Sequence, residues 1–82
     1  MTTGETLTKL FWHRGRRQFV ELTATDAARR LCTSEARAGS KLMTLAADGY
    51  AEYNWHKLNS DIIMIWRVTG MGRNMIVAHL DG

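Results

Sequence analysis

Cys32 is the only cysteine in the chain. No disulfide can form within it, and a reducing, cytoplasmic setting is the simpler expectation. No apolar run approaches the roughly 18 residues that mark a membrane-spanning helix. The opening residues, MTTGETLTK, lack the charge-then-apolar pattern of a secretion signal. Repeats and low-complexity tracts are missing. His13, His56, His79 and Cys32 form no CxxC or HxxxH pattern, so no metal is expected. Cys32 has no local nucleophile signature. There is no glycine loop to cradle phosphates and no RNA-recognition aromatic motif. With 82 residues the chain suits one domain. A domain that short buries only about two-thirds of its unfolded surface. A ligand cavity of several hundred Å³ would consume much of such a core. Neither an enzyme nor a cofactor is expected.

What the chain does have is a surplus of positive charge, net +3 with a pI near 9.5. The surplus is uneven. Residues 1–41 hold eight Lys and Arg against four acids, and residues 42–82 hold three against four. A polyanionic partner would explain this, and so would a solubilising surface. The hydrophobic fraction, 45%, is ample for a folded domain.

The basic half contains TATDAARRLCTSEARAGSKLMTLAADGY, Thr23 to Tyr50, which reads as two helices joined by a tight turn. Thr23 and Asp26 have capping-box spacing, and Asp26 also suits the positive end of the helix dipole. Ala27, Ala28 and Leu31 give a small apolar face. Cys32-Thr33-Ser34 is the break, with Ser34 a good N-cap. Ala38, Leu42 and Leu45 then recur on one helical face. Asp48-Gly49 stops the second helix, with Gly49 suited to the left-handed C′ position. Gly39 lies inside that helix at a cost of about 1 kcal/mol relative to Ala, which suggests that another backbone approaches there.

Before this unit, Leu7, Leu10 and Phe11 predict a helix over Glu5–His13, capped by Thr2 or Thr3 and ended by Gly15. Arg16–Glu21 reads as a short extended segment. After the unit, Tyr50–Trp55 alternates. His56–Asp61 reads as a medium-length loop, and Ile62–Thr69 is the strongest strand and the candidate inner one. Met71 and Gly72 read as a hinge. Asn74–Leu80 suits either a helix capped by Thr69 or a strand, and helix is favoured. Trp12, Trp55 and Trp66 read as core.

In this order, TATDAARRL, SEARAGSKLMTLAADGY and AEYNWHKLNSDIIMIWRVT resemble the winged helix-turn-helix family of DNA-binding domains. The three pieces are similar to its second helix, its recognition helix and its wing. Two positions depart from the family: Cys32 stands where Gly is common, and Thr33 where an apolar residue is. The resemblance implies an α+β fold with a three-helix core and a two- to three-stranded β-wing. The helix-turn-helix would span about 23–49, the wing about 50–69 and a tail 70–82. It implies double-stranded DNA as partner, and a small transcriptional regulator or repressor of bacterial, phage or plasmid type. Ser34, Ala36, Arg37, Ser40, Lys41 and Thr44 would then face DNA, with Arg37 the candidate base reader and Lys41 a phosphate contact. Arg14, Arg16 and Arg17 would meet phosphates, and the wing residues His56, Lys57 and Asn59 would reach the backbone or the minor groove. A solvated surface is the alternative for each group. Arg29 and Arg30 suit the helix dipole, with a phosphate role as the alternative. So small a module calls for a homodimer or a protein partner, through the first helix or the tail. The rival reading is a winged-helix protein-interaction module, or a phage-type inhibitor, that does not bind DNA.

Overall fold

Thr2 is extended, and its hydroxyl accepts the Glu5 N–H at 3.1 Å, which starts α1 (Thr3–Phe11). The computed structural model describes residues 1–82. Leu7, Leu10 and Phe11 are fully buried, as their spacing predicts. The same helix buries Thr6 and Thr8. Their hydroxyls donate to the carbonyls of Thr2 (3.0 Å) and Gly4 (2.7 Å), so neither is left unsatisfied.

The helix stops at Phe11, two residues short of the expected end. Trp12 is extended and pairs with Phe19, and His13 pairs with Gln18. These residues form a small hairpin, β1 (Trp12–His13) and β2 (Gln18–Phe19). The two rings meet edge to face, 5.2 Å apart, and that cross-strand aromatic contact replaces another half-turn of helix. Gly15 therefore sits in the hairpin turn rather than ending α1, and Arg17 there takes φ 52°.

Helix α2 (Ala24–Leu31) opens with the full capping box, Thr23 to Asp26 in both directions. It ends with Cys32 in the left-handed region at φ 55°. The Thr33 N–H donates to the Ala28 carbonyl and the Cys32 N–H to the Arg29 carbonyl. That pair of bonds is a Schellman ending. Cys32 thus performs the glycine's part at this turn. Ser34 caps α3 (Glu35–Ala47), and Gly49, at φ 85°, closes it with a second Schellman ending, Tyr50 N–H to Leu45 carbonyl at 2.9 Å. Gly39 corrects the sequence expectation: a Cβ built there meets nothing within 4 Å, so no backbone approaches it.

Strands β3 (Ala51–Leu58) and β4 (Asp61–Val68) pair antiparallel along their whole length. The expected six-residue loop shrinks to Asn59-Ser60, with Asn59 at φ 58°. His56 and Lys57 are strand residues instead, opposite Ile63 and Ile62. β4 is the inner strand, because Leu22 bridges to Trp66 on its other side with bonds of 3.0 and 2.7 Å. The base of this sheet buries Ala51, Trp66 and Val68, whereas Trp55 is 63% exposed and is not core. The hairpin projects past the helices, and the molecule measures 43 Å along its long axis against 24 and 23 Å.

The tail is a helix, α4 (Gly70–Asp81), capped by Thr69. Gly72 is buried in its first turn, not a hinge. A Cβ there would overlap the Tyr50 carbonyl oxygen and the Val68 side chain. α4 lies along α1, with the Gly4 position against His79 and the Met75 carbonyl. Leu7, Leu10, Phe11, Leu42 and Ile76 form the fully buried centre of the core.

Candidate nucleic-acid interface

Helix α3 has three sides. Ala38, Leu42 and Leu45 are buried against the core at 0, 0 and 4% exposure. Arg37, Ser40, Lys41 and Thr44 are exposed on a second side. At about 100° per residue, Arg37 and Lys41 lie one turn apart on that side. The third side carries Ala36, Met43 and Ala47, all exposed and uncharged. The Ser34 hydroxyl accepts the Arg37 N–H (3.2 Å), and Glu35 accepts the Thr25 hydroxyl (2.8 Å). These contacts fix the start of α3 against α2. Thr44 donates its hydroxyl to the Ser40 carbonyl (3.1 Å), so in this state it offers only an acceptor outward.

The ion pair Arg67–Glu52 is the only one in the protein. Arg37 and Lys41 therefore carry uncompensated charge. Arg67 sits on the wing hairpin, and its pairing with Glu52 removes one cation from that element. Arg73 rests over the Phe19 ring, 5.1 Å from its centroid.

The wing brings its predicted residues together only in part. His56 and Lys57 are neighbours in a strand and so point to opposite faces. Asn59 stands at the tip. The Lys57 face is apolar beside it, with Tyr53, Trp55 and Ile62 41, 63 and 68% exposed, and Leu58, 59% exposed, lies on the opposite face with His56.

Arg14, Arg16 and Arg17 are exposed but do not join the α3 face. β4 runs from the tip at Asp61 back to Val68, and Leu22 pairs antiparallel to it. The residues before Leu22 therefore run toward the base of the sheet, away from the wing tip. Phe19 reaches Arg73 on α4, and Arg14 and Arg17 share an open recess with Leu80 and Asp81 at the end of α4. A second open recess, about 500 Å³, is lined by Thr8, Lys9, Trp12, His13, Arg14, Gly15 and Arg30. Lys9 was no candidate in the sequence, because its only local signal is a place in the last turn of α1.

No family model matches the sequence, and no curated protein matches it. Two solved structures share its architecture. One is the adhesin competence repressor AdcR of Streptococcus pyogenes, aligned over 99% of this chain at TM-score 0.70 and 21% identity. The other is the type III plasmid segregation protein TubR, aligned over 99% at TM-score 0.70 and 12% identity. The chain has the winged-helix fold. It spans 55% of the AdcR chain and 87% of the TubR chain. At these identities the likeness concerns fold. Within the winged helix, α1–α3 are the three-helix core, α2 and α3 the helix-turn-helix, and β3–β4 the wing. No helix is long and apolar enough to cross a membrane.

Proposed function

We propose that this winged-helix chain binds double-stranded DNA and acts as a small transcriptional regulator in the cytoplasm. α3 enters the major groove. Arg37 reads a guanine edge through two hydrogen bonds, Lys41 meets phosphate, Ser34, Ser40 and Thr44 line the same approach, and Ala36 borders it. Lys57, His56 and Asn59 of the wing meet the backbone. The observation that carries this reading is the pair Arg37 and Lys41, exposed one turn apart on a helix anchored by the buried Ala38, Leu42 and Leu45, with no carboxylate against either. The fold shared with a repressor and a plasmid segregation protein agrees with it.

Useful affinity from so small a module calls for a second copy or a neighbouring protein. α1 is unavailable for that contact, since it is buried against the core and α4. Met71, Val77 and Leu80 of α4, 48, 49 and 43% exposed, are the large apolar positions left, with Val77 and Leu80 in its outer half.

The test is selection from a random duplex library, followed by affinity against salt. Arg37→Ala is expected to relax preference at one base position, by about 1–3 kcal/mol of discrimination. Absence of binding to any duplex at low salt would refute the proposal. One observation favours the rival reading of a protein-interaction module: the apolar wing face of Tyr53, Trp55 and Ile62.

A further inference from the structure

From the proposed DNA-binding reading we infer that the recess between the end of α1, the β1–β2 turn and the end of α2 is a second site for phosphodiester backbone, separate from the α3 face. Lys9, Arg14 and Arg30 bring three full cations to its rim, and no carboxylate lines it. Lys9 and Arg30 sit in the last turns of α1 and α2. A helix C-terminus carries about half a negative charge. The two helix ends therefore neutralise roughly one of the three charges, Asp81 in the recess next to Arg14 offsets part of another, and the rim stays net positive. Dipole compensation explains part of Lys9 and Arg30 and none of Arg14, which lies on no helix.

The recess also supplies a neutral donor. The His13 Nδ1 accepts the Arg16 N–H at 3.1 Å. With Nδ1 accepting, the ring proton belongs on Nε2, which is a hydrogen-bond donor. Trp12 forms the apolar wall and is held edge-on to Phe19. Cations around one neutral N–H donor suit an oxygen-rich, singly charged diester. The recess contains no residue of α3 or of the wing, and the β1–β2 turn lies toward the base of the sheet. The backbone it holds is therefore not the stretch whose groove α3 enters. It is either DNA flanking the site on the same duplex or a second duplex.

The experiment uses the whole chain and a duplex obtained by library selection. One arm compares the bare site with the same site carrying long random flanks. The other adds an acceptor-labelled random duplex to protein saturated with donor-labelled site and reads energy transfer. A gain in either arm is expected, falling about 40-fold between 50 and 200 mM salt for three phosphate contacts. The first arm identifies flanking DNA as the source and the second a separate duplex. The surface variant Lys9→Gln/Arg14→Gln/Arg30→Gln is expected to abolish the gain. It should keep affinity for the bare site within about threefold, with an unchanged melting curve and the same mass by light scattering. Arg37→Ala/Lys41→Ala should do the reverse: lost site preference with the random-duplex contact retained. The inference is overturned if the triple variant keeps the gain, if wild-type protein binds its site but gains in neither arm, or if the gain follows a change in mass. Wild-type protein that binds no duplex overturns the DNA-binding reading as well.

Discussion

Replacing Gly39 by Ala should stabilise the protein, and replacing Gly72 by Ala should do the opposite. Gly39 lies five residues into the 13-residue α3, in its interior. Glycine there costs about 0.5–1 kcal/mol relative to Ala, because its unfolded backbone has more freedom to lose. That gain survives only if the new methyl meets no obstacle, and a Cβ at Gly39 has no neighbour within 4 Å. For a domain of this size, 1 kcal/mol moves the melting temperature by about 4–8 °C. The expected rise is therefore about 2–8 °C in a reversible thermal melt. Gly39 is two residues from Arg37, on the far side of the helix from it, so affinity for duplex DNA should not change. At Gly72 the methyl would overlap a backbone carbonyl, that of Tyr50, and Val68. Backbone cannot step aside as a flexible side chain can, and overpacking of that kind costs about 1–3 kcal/mol. A Gly39→Ala variant that melts below wild type would refute the reasoning, and would mean that α3 is approached closely at that point.

Cys32→Gly should raise the urea midpoint by up to about 1 kcal/mol of stability, because it relieves a side chain held at φ 55°. Cys32→Val, β-branched at the same position, should lower it. Trp55→Ser should change stability by less than about 0.5 kcal/mol, since the ring is 63% exposed, while raising solubility at high protein concentration. A large loss on thermal melting would mean that the ring is covered in solution.

The helix-turn-helix was legible because its signals are local. Thr23 with Asp26, Ser34 with the Arg37 N–H and Gly49 after Ala46 all act within three residues, and each is found in place. Ala38, Leu42 and Leu45 could be sorted from Arg37 and Lys41 by helical period alone. Features that depend on a distant partner were not legible. The β1–β2 hairpin rests on Trp12 meeting Phe19, in strands of two residues each, too short to show a pattern. The outer wing has seven successive exposed residues, Glu52–Leu58, so no alternation of burial could distinguish strand from loop. Gly39 and Gly72 were read the wrong way round, since a sequence names a glycine but not what stands opposite its α-carbon. Charge alone assigns Arg14, Arg16 and Arg17 to phosphates of the DNA that α3 enters. The Leu22–Trp66 bridge, 44 positions apart in the chain, turns them to the other end of the sheet.

That separation has a consequence for how tightly the protein can hold DNA. The α3 side offers Arg37 and Lys41, and the outer wing offers Lys57. With each of these cations, Arg37 in the groove included, counted as neutralising one phosphate charge, three give a salt slope of about −2.7 in log K against log salt. Regulators that make about 6–10 contacts lose far more affinity over the same range. One copy using α3 and the wing alone would therefore be a weak binder. Adding Lys9, Arg14 and Arg30 doubles the contacts to about six and the slope to about −5.4. Pairing two copies through α4 also doubles it, without involving the recess. The two routes separate under charge removal. If the steep slope comes from the recess, the Lys9, Arg14 and Arg30 variant halves it at unchanged mass. If it comes from a second copy, a charge placed at Val77 or Leu80 halves both slope and mass. A wild-type slope near −2.7 would mean that neither surface is engaged, and that α3 needs a neighbouring protein to hold its site.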